Sequence, residues 1–150
     1  FIIIASASVL ASYWTLEQIP EMLAQKVTSF ITQPWVFILT VNILLLIVGC
    51  LMDEISAILI LVPLLSVLLE KYGINPYHFA IIFLINMNIG FVTPPVGLNL
   101  LTAAIITDIP LMKIARKSIY FLFVLLIGLI IVSYWESFTM WPINLLMGPE

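Results

Sequence analysis

The chain has 150 residues, of which 63% are hydrophobic and only 9% are charged. A soluble domain carries about 25% charged residues, so this composition indicates an integral membrane protein. The few charges, with a formal net charge of −3, exclude a nucleic-acid-binding protein, and the single cysteine, Cys50, excludes an intrachain disulfide or a cysteine metal cluster.

Residues 1–33 are predicted to form a transmembrane segment followed by an interfacial helix. The start lacks Met, a basic flank and a cleavage site, so it is not a signal peptide, and we expect a fragment of a longer chain. Residues 1–16 are apolar and end in the aromatic pair Tyr13-Trp14, which suits the membrane surface. Residues 17–33 alternate apolar and polar side chains at roughly helical spacing, which is typical of an amphipathic helix on the interface. The apolar side chains are Met22, Val27 and Phe30, and the polar ones are Glu21, Gln25 and Ser29.

Residues 34–72 are predicted to form a helical hairpin. One apolar run covers 36–52 and stops at Asp53 and Glu54, and a second run covers 55–69. As helices these runs reach about 25 and 22 Å, which is short of the roughly 30 Å hydrocarbon core. A re-entrant hairpin with the acidic pair at its tip fits these lengths. Two thin membrane spans joined by an acidic turn remain the alternative.

Residues 73–107 are predicted to form a discontinuous transmembrane helix. Two consecutive prolines, Pro94 and Pro95, interrupt an apolar pattern that is otherwise long enough to cross a bilayer. Because proline has no N–H, the carbonyls of Gly90 and Phe91 lose their helical donors, and the residue before each proline should be extended. Free carbonyls are tolerated in hydrocarbon only where protein covers the backbone or where it lines a wet cavity. The break therefore predicts a binding site.

Residues 108–150 are predicted to hold a short cytoplasmic helix, the last transmembrane helix over 118–135, and a tail. Asp108 is the predicted N-cap of the short helix, which carries three of the five basic residues. The positive-inside rule places this cluster in the cytoplasm, and therefore the tail and the interfacial helix outside. His78 is then predicted to lie at the outer surface. The basic cluster is Lys113, Arg116 and Lys117.

Polar and small residues fall on one face of the predicted hairpin and on one face of the predicted broken helix. Their spacings are about 7 and 11 residues. Where the arms and half-helices end near mid-membrane, free carbonyls and negative dipole ends suit a dehydrated Na⁺, which prefers hard oxygen ligands. Helix N-termini at the same place suit a carboxylate, so one site can bind a cation and an organic anion together. The two sets are Asn42, Gly49 and Asp53 in the hairpin, and Asn86, Thr93 and Gly97 in the broken helix.

The candidate site residues come from the predicted hairpin and the predicted broken helix. Other interpretations of these residues stay open. The asparagines can instead bond to neighbouring helices, and Asp53 can be a solvated turn. The sequence holds no hydrolytic motif of the Gly-x-Ser-x-Gly, His-Glu-x-x-His or P-loop kind, so catalysis is not expected. The predicted Na⁺ ligands are the main-chain carbonyls of Gly49, Gly90 and Val96, and the carbonyl or hydroxyl of Thr93. The candidate substrate contacts are Asp53, Pro94, Pro95, Gly97, Asn99 and Thr102.

Three segments carry a resemblance to a known family: GCLMD at 49–53, AILILVP at 57–63 and GFVTPPVGLN at 90–99. They resemble the C-terminal part of the large membrane subunit of TRAP (tripartite ATP-independent periplasmic) transporters, and the likeness covers essentially the whole chain. The resemblance implies an elevator-type transporter with two inverted repeats, each holding a hairpin and a broken helix, of which this chain would be the second.

The same resemblance implies Na⁺-coupled uptake of organic acids, such as C4-dicarboxylates or sialic acid, across the bacterial inner membrane. A soluble periplasmic binding protein would deliver the substrate, and a small membrane subunit would lie alongside. By position, the second Na⁺ site would use Gly49, Gly90, Thr93 and Val96.

Glu54 departs from the family pattern, in which a smaller or uncharged residue is expected after Asp53. Two other classes remain. A channel subunit would use the broken helix as a filter, but would be expected to repeat that filter around an axis and would need no acidic hairpin. For a structural assembly subunit, replacing Gly90 or Thr93 should alter assembly and leave Na⁺ dependence unchanged.

Overall fold

The computed structural model describes residues 2–147, and the regular structure in that range is helical. Phe1 and the end of the predicted tail, up to Glu150, lie outside the described residues. Three of the helices, α3, α4 and α7, are long and apolar enough to cross a membrane, which confirms the all-α membrane class. In chain order the helices are α1 (Ile2–Leu16), α2 (Ile19–Phe30), α3 (Pro34–Leu51), α4 (Glu54–Tyr72), α5 (Pro76–Phe91), α6 (Leu98–Thr107), α7 (Leu111–Tyr134) and α8 (Glu136–Met147).

The helices α3 and α4 run antiparallel and are joined by a tight turn at Asp53. The Asp53 side chain caps α4 by accepting a hydrogen bond from the Ser56 backbone N–H at 3.0 Å. At the opposite end, the rings of Phe37 and Tyr72 stack with centroids 4.3 Å apart, so the two helices meet there as well.

The two arms are longer than the apolar runs in the sequence. They have 18 and 19 residues, or about 27 and 29 Å of helix. Glu54 at the start of α4 and the segment 70–72 at its end are helical although they are polar, which is why the apolar runs understate the length. Each arm is therefore long enough for a tilted crossing, and the length argument for a re-entrant hairpin is wrong. The re-entrant hairpin itself stays a prediction.

The helix α2 forms as predicted but packs through a different face. Pro20 and Ala24 are buried, Val27 is partly buried against the same core, and the helix lies on α4. Met22 and Phe30, which were assigned to the apolar face, are 57% and 89% exposed. The difference arises because Pro20, Ala24 and Val27 lie at i, i+4 and i+7, which is the true helical period.

The main apolar core lies between α3, α4 and α5, where Leu45, Ala57 and Met87 are completely buried. The most extensive contact in the structure is between α3 and α5, whereas α4 packs mainly on α1 and α2. This arrangement holds the end of α3 against the end of α5, next to the predicted break.

The predicted break between α5 and α6 is confirmed. The helix α5 ends at Phe91, residues 92–96 form turns, and α6 begins at Leu98. The Gly90 carbonyl, which was predicted to be free, accepts a hydrogen bond from the Thr93 N–H at 3.0 Å. A tight turn thus replaces the helical donor that Pro94 removes.

The segment after α6 differs from the prediction. Asp108 has a left-handed backbone, with φ of 53°, and ends α6, so its assignment as an N-cap is wrong. Pro110 precedes α7 instead, and its carbonyl accepts from the Lys113 N–H at 2.8 Å. Because no further break follows, the predicted short helix and last span form the single helix α7.

The predicted tail contains a further helix, α8, with Pro142 inside it. Its packing on α5 explains the burial of His78, which was not predicted. His78 is only 3% exposed, and its ring nitrogens lie 2.6 Å from Thr139 Oγ1 on α8 and 3.3 Å from the Ser133 carbonyl oxygen on α7. His78 is therefore a buried polar residue held by α7 and α8, and its predicted position at the outer surface of the membrane stays a prediction.

Candidate functional site

The helices α3 and α5 cross with their backbones in direct contact at Gly49 and Gly90. A Cβ atom built on Gly90 would lie 2.6 Å from Gly49 Cα and 2.8 Å from the Cys50 backbone nitrogen. A Cβ on Gly49 would in turn lie 3.1 Å from Met87 Cα. Only glycine at position 90 permits this approach, and two predicted Na⁺ ligands are thereby brought together.

Main-chain carbonyls converge on the break just beyond this crossing. A Cβ built on Gly97 would lie 2.9 Å from the Thr93 carbonyl oxygen and 3.0 Å from the Phe91 carbonyl oxygen. The Cys50 thiol at the end of α3 donates to the same Thr93 carbonyl at 3.4 Å. Gly97 itself has a φ of 44° and is buried. Two carbonyl oxygens and the Leu100 Cδ1 methyl, at 3.1 Å, therefore surround the position that a Cβ on Gly97 would take.

The oxygen atoms gathered here match the chemistry of a hard cation. Thr93 Oγ1 donates to the Ile89 carbonyl at 2.7 Å, and its lone pairs remain able to accept or coordinate. Within residues 2–147, no group of three or more His, Cys, Asp or Glu side chains could hold a metal ion. A cation at this place would therefore be held by main-chain and hydroxyl oxygens, as at the unwound helices of secondary transporters.

Phe91 adds a carbonyl to the predicted cation ligands, and the predicted carbonyl of Val96 stays a prediction. Phe91 was not among the predicted ligands, yet its carbonyl faces Gly97 beside that of Thr93. The signal was in the sequence, since Pro95 removes the helical donor of this carbonyl. Val96, which was predicted as a ligand, lies in the turn with its side chain 37% exposed.

Most of the candidate substrate contacts are exposed. Of these residues, Gly97 is buried, whereas the others are exposed in this chain. Both Asp53 carboxylate oxygens accept hydrogen bonds from Ser56, Oδ2 from the backbone N–H and Oδ1 from the hydroxyl at 2.8 Å. The Thr102 hydroxyl donates to the Leu98 carbonyl within α6 at 2.9 Å. The exposed residues are Asp53, Pro94, Pro95, Asn99 and Thr102.

The helix ends next to the break provide opposite partial charges. The C-terminal ends of α3 and α5 present carbonyls, whereas the N-terminal ends of α4 and α6 present N–H groups. Asp53 caps the N-terminus of α4, but Gly97 has no side chain with which to cap α6. The uncapped N-terminus of α6 is therefore the end better suited to an anionic group.

A chain of buried polar side chains fixes α3 against its neighbours. Asn86 donates to Asn42 Oδ1 at 2.8 Å, and Asn42 donates to Ser133 Oγ on α7 at 2.9 Å. These two asparagines therefore bond to neighbouring helices, while Asn88, within residues 2–147, bonds only to the Leu84 carbonyl of its own helix. Asn86 Oδ1 is buried and has no partner among residues 2–147. Sequence reasoning missed Ser133, because a lone serine in an apolar span gives no signal of its partner.

Comparison with known proteins identifies TRAP transporter permeases among the relatives of this chain. A model of the family described as tripartite ATP-independent periplasmic transporter, DctM component, matches residues 1–138. The C4-dicarboxylate TRAP transporter large permease protein DctM of Pseudomonas aeruginosa is 46% identical over 132 residues, which are 88% of this chain and 31% of that protein. The sialic acid TRAP transporter large permease protein SiaM of Vibrio cholerae is 34% identical over 132 residues, with shares of 88% and 31%.

The isethionate TRAP transporter permease protein DctMQ of Oleidesulfovibrio alaskensis is 34% identical over 133 residues, which are 89% of this chain and 21% of that protein. The chain therefore spans about a third or less of the length of these curated relatives.

Proposed function

Since this chain belongs to the family of tripartite ATP-independent periplasmic transporter DctM components, we propose that it forms the second repeat of a permease that imports organic anions together with Na⁺. The relatives are transporter permeases, so the chain is a transporter component and not an enzyme. The observation that carries the proposal is the interrupted helix α5–α6, whose turn holds the Phe91 and Thr93 carbonyls beside the Gly49–Gly90 crossing.

Na⁺ is the coupling ion in this proposal. Its ligands come from Gly49, Gly90, Thr93 and Val96, and the orientation of the Phe91 carbonyl adds a further candidate. A bound cation supplies positive charge, which lowers the cost of bringing an organic anion out of water. The chain's own contribution is to fix the carbonyls before the ion arrives, because the Gly49–Gly90 crossing and the Cys50–Thr93 hydrogen bond hold α3 against the break.

The substrate in this proposal is an organic acid in its anionic form. The names of the relatives mention C4-dicarboxylate, sialic acid and isethionate, which share an anionic acid group although their skeletons differ. Recognition of the acid group suits the open N-terminus of α6 and its nearby Asn99 and Thr102. Residues in the part of the protein beyond this chain would then select the skeleton.

The assembly proposed for this permease follows from the family. A soluble periplasmic binding protein delivers the acid, a small membrane subunit accompanies the permease in the bacterial inner membrane, and the hairpin and broken helix move together as an elevator. The exposure of the polar side chains of Asp53, Asn99 and Thr102 supports a further repeat, because these groups are free to meet another half-site.

The test is uptake by the full-length permease, reconstituted with its neighbouring subunits in proteoliposomes. Uptake of a labelled C4-dicarboxylate is measured with and without an inward Na⁺ gradient, for the wild type and for Thr93→Val. Thr107→Val is the matched control, because Thr107 also bonds a carbonyl four residues back but lies at the far end of α6.

We expect uptake to require the Na⁺ gradient, and Thr93→Val alone to raise the Na⁺ concentration needed for half-maximal uptake. Uptake that is indifferent to Na⁺ would overturn the coupling. A passive ion leak in place of substrate-dependent uptake would favour a channel. A Thr93→Val protein that fails to assemble but keeps its Na⁺ dependence would favour a structural role.

A further inference from the structure

The first turns of α7 carry an exposed basic face, which ends in a tyrosine on its C-terminal side. Lys113, Arg116, Lys117 and Tyr120 lie at i, i+3, i+4 and i+7, so they share one side of the helix, and all four are exposed. Together with Pro110 and Met112 they line an open depression of about 620 Å³. A second depression of about 270 Å³ on the other side of Lys113 and Lys117 reaches Ser118 and Phe121.

The spacing of these groups along α7 matches the layers of one leaflet. Lys113 and Lys117 are separated by about 6 Å along the helix axis, and the polar layer of a leaflet is about 5–7 Å thick. Tyr120 lies less than one further turn along, where interfacial aromatic residues are found. Beyond it the surface is apolar, with Phe121 and Val124 exposed by 76% and 66%.

We propose that this basic face is a binding site for an anionic phospholipid of the cytoplasmic leaflet. Lys113, Arg116 and Lys117 hold the phosphate, the Tyr120 hydroxyl donates to it or to the adjacent ester, and the acyl chains follow Phe121 and Val124. The inference uses the membrane orientation adopted for the proposed function, but it needs neither Na⁺ coupling nor transport to hold.

The arrangement is more specific than the general cytoplasmic bias of Lys and Arg. That bias requires only that the charges lie on one side of the membrane, whereas here three cations and a tyrosine share one helix face. A free phosphate ion would use the cations alone. A phospholipid also uses the apolar continuation of the same face, which is why we commit to the lipid.

The experiment compares lipid binding by the full-length permease, with its neighbouring subunits, in native mass spectrometry. Phosphatidylglycerol is titrated against phosphatidylcholine, and inorganic phosphate is added as a competitor in a separate arm. The test variant is the triple Lys113→Gln/Arg116→Gln/Lys117→Gln. The matched control is Lys26→Gln/Lys71→Gln, which neutralises the other two basic residues of the chain.

We expect phosphatidylglycerol to be retained in preference to phosphatidylcholine, and its affinity to fall about fivefold for each cation removed. The control variant should bind as the wild type does. Phe121→Asn keeps the three cations, so it should weaken the binding of phosphatidylglycerol. Any competition by inorganic phosphate should be unchanged.

Equal retention of the two lipids by the wild type would overturn the proposal, and this comparison needs no variant to fold. An equal loss of phosphatidylglycerol binding in the Lys26/Lys71 control would show that only the net charge of the protein matters, which would contradict a site on α7. Displacement of the lipid by inorganic phosphate at comparable concentration would identify a free-phosphate site. Loss of a copurifying subunit, without loss of lipid, would identify a protein interface. Because lipid retention is read without Na⁺, a failed uptake assay would leave this result unaffected.

Discussion

Asn86 on α5 donates its side-chain N–H to the side-chain oxygen of Asn42 on α3, at 2.8 Å, in the interior of the helix bundle. Asn86 lies one turn before Gly90, and Asn42 lies two turns before Gly49, on the faces that meet at the glycine crossing. The Asn86–Asn42 hydrogen bond and the Gly49–Gly90 backbone contact lie on the same pair of helix faces. Together they fix how α3 is rotated and shifted along its axis relative to α5. The position of Gly90 against α3, just before the break, is therefore supported by a hydrogen bond one turn away.

We expect Asn42 and Asn86 to be energetically coupled. In a double-mutant cycle with Asn42→Ala and Asn86→Ala, the coupling energy should be about 0.6 kcal/mol and at most about 1.7 kcal/mol, the range for interhelical hydrogen bonds in membranes. The measurement is the free energy of unfolding in bicelles. A second cycle that pairs Asn42→Ala with Asn88→Ala should be additive, because the Asn88 side chain donates to the Leu84 carbonyl of its own helix. Additivity in both cycles would contradict the register role.

Gly90→Ala should destabilise the protein by about 1–3 kcal/mol, the usual cost of overpacking. The new methyl group would overlap the Gly49 backbone, which has no flexible side chain to move away. Gly128→Ala on α7 is the matched control, since a Cβ there meets nothing within 4 Å. Thermal unfolding in detergent should separate the two variants. A Gly90→Ala protein as stable as Gly128→Ala would show that the crossing can open without cost.

Gly97→Ala should weaken Na⁺-dependent uptake. The loss of uptake should exceed that of Gly73→Ala, a variant that carries similar backbone strain. Gly97 and Gly73 both have positive φ values, 44° and 64°, so alanine at either position carries backbone strain of about 1–2 kcal/mol. Only at Gly97 would the methyl group also press on the Phe91 and Thr93 carbonyl oxygens, because the space at Gly73 is open. Uptake is therefore compared between the two alanine variants over a range of Na⁺ concentrations. Equal half-maximal Na⁺ concentrations would argue against carbonyl coordination at the break.

Asp53→Ala should cost about 1 kcal/mol of stability, the usual effect of removing a helix N-cap. Asp53→Asn should cost little, because asparagine also accepts the Ser56 N–H hydrogen bond. Stability and uptake are measured together for both variants, with Glu54→Gln as the control for loss of an adjacent negative charge. Uptake that collapses in Asp53→Asn at unchanged stability would assign the carboxylate to the transport site rather than to capping.

The sequence predicts those parts of the fold that follow from covalent chemistry and local spacing. Pro94 and Pro95 interrupt α5–α6 because they lack N–H groups, and this effect is independent of what packs nearby. Gly49 and Gly90 were predicted only as main-chain carbonyl ligands of one cation site, not as two backbones in contact. Their contact depends on how α3 and α5 cross, which no local pattern encodes.

The burial of His78 and the role of Asp108 were not predicted. The burial of His78 was not foreseen because α8, which covers it through Thr139, was predicted only as a tail. Asp108 was assigned as an N-cap because aspartate favours that position, whereas the chain uses its tolerance of left-handed backbone to end α6. Each of these residue types has two ordinary roles, and the local sequence pattern does not choose between them.

The glycine crossing also bears on electrical leakage. A water molecule is about 2.8 Å across, and the position a Cβ would take on Gly90 is already only 2.6 Å from Gly49 Cα. The seam between α3 and α5 is therefore dry at this level, and neither a hydrated ion nor a file of water can pass through it. The Gly49–Gly90 contact therefore acts as electrical insulation beside the place where the proposed ion would be held.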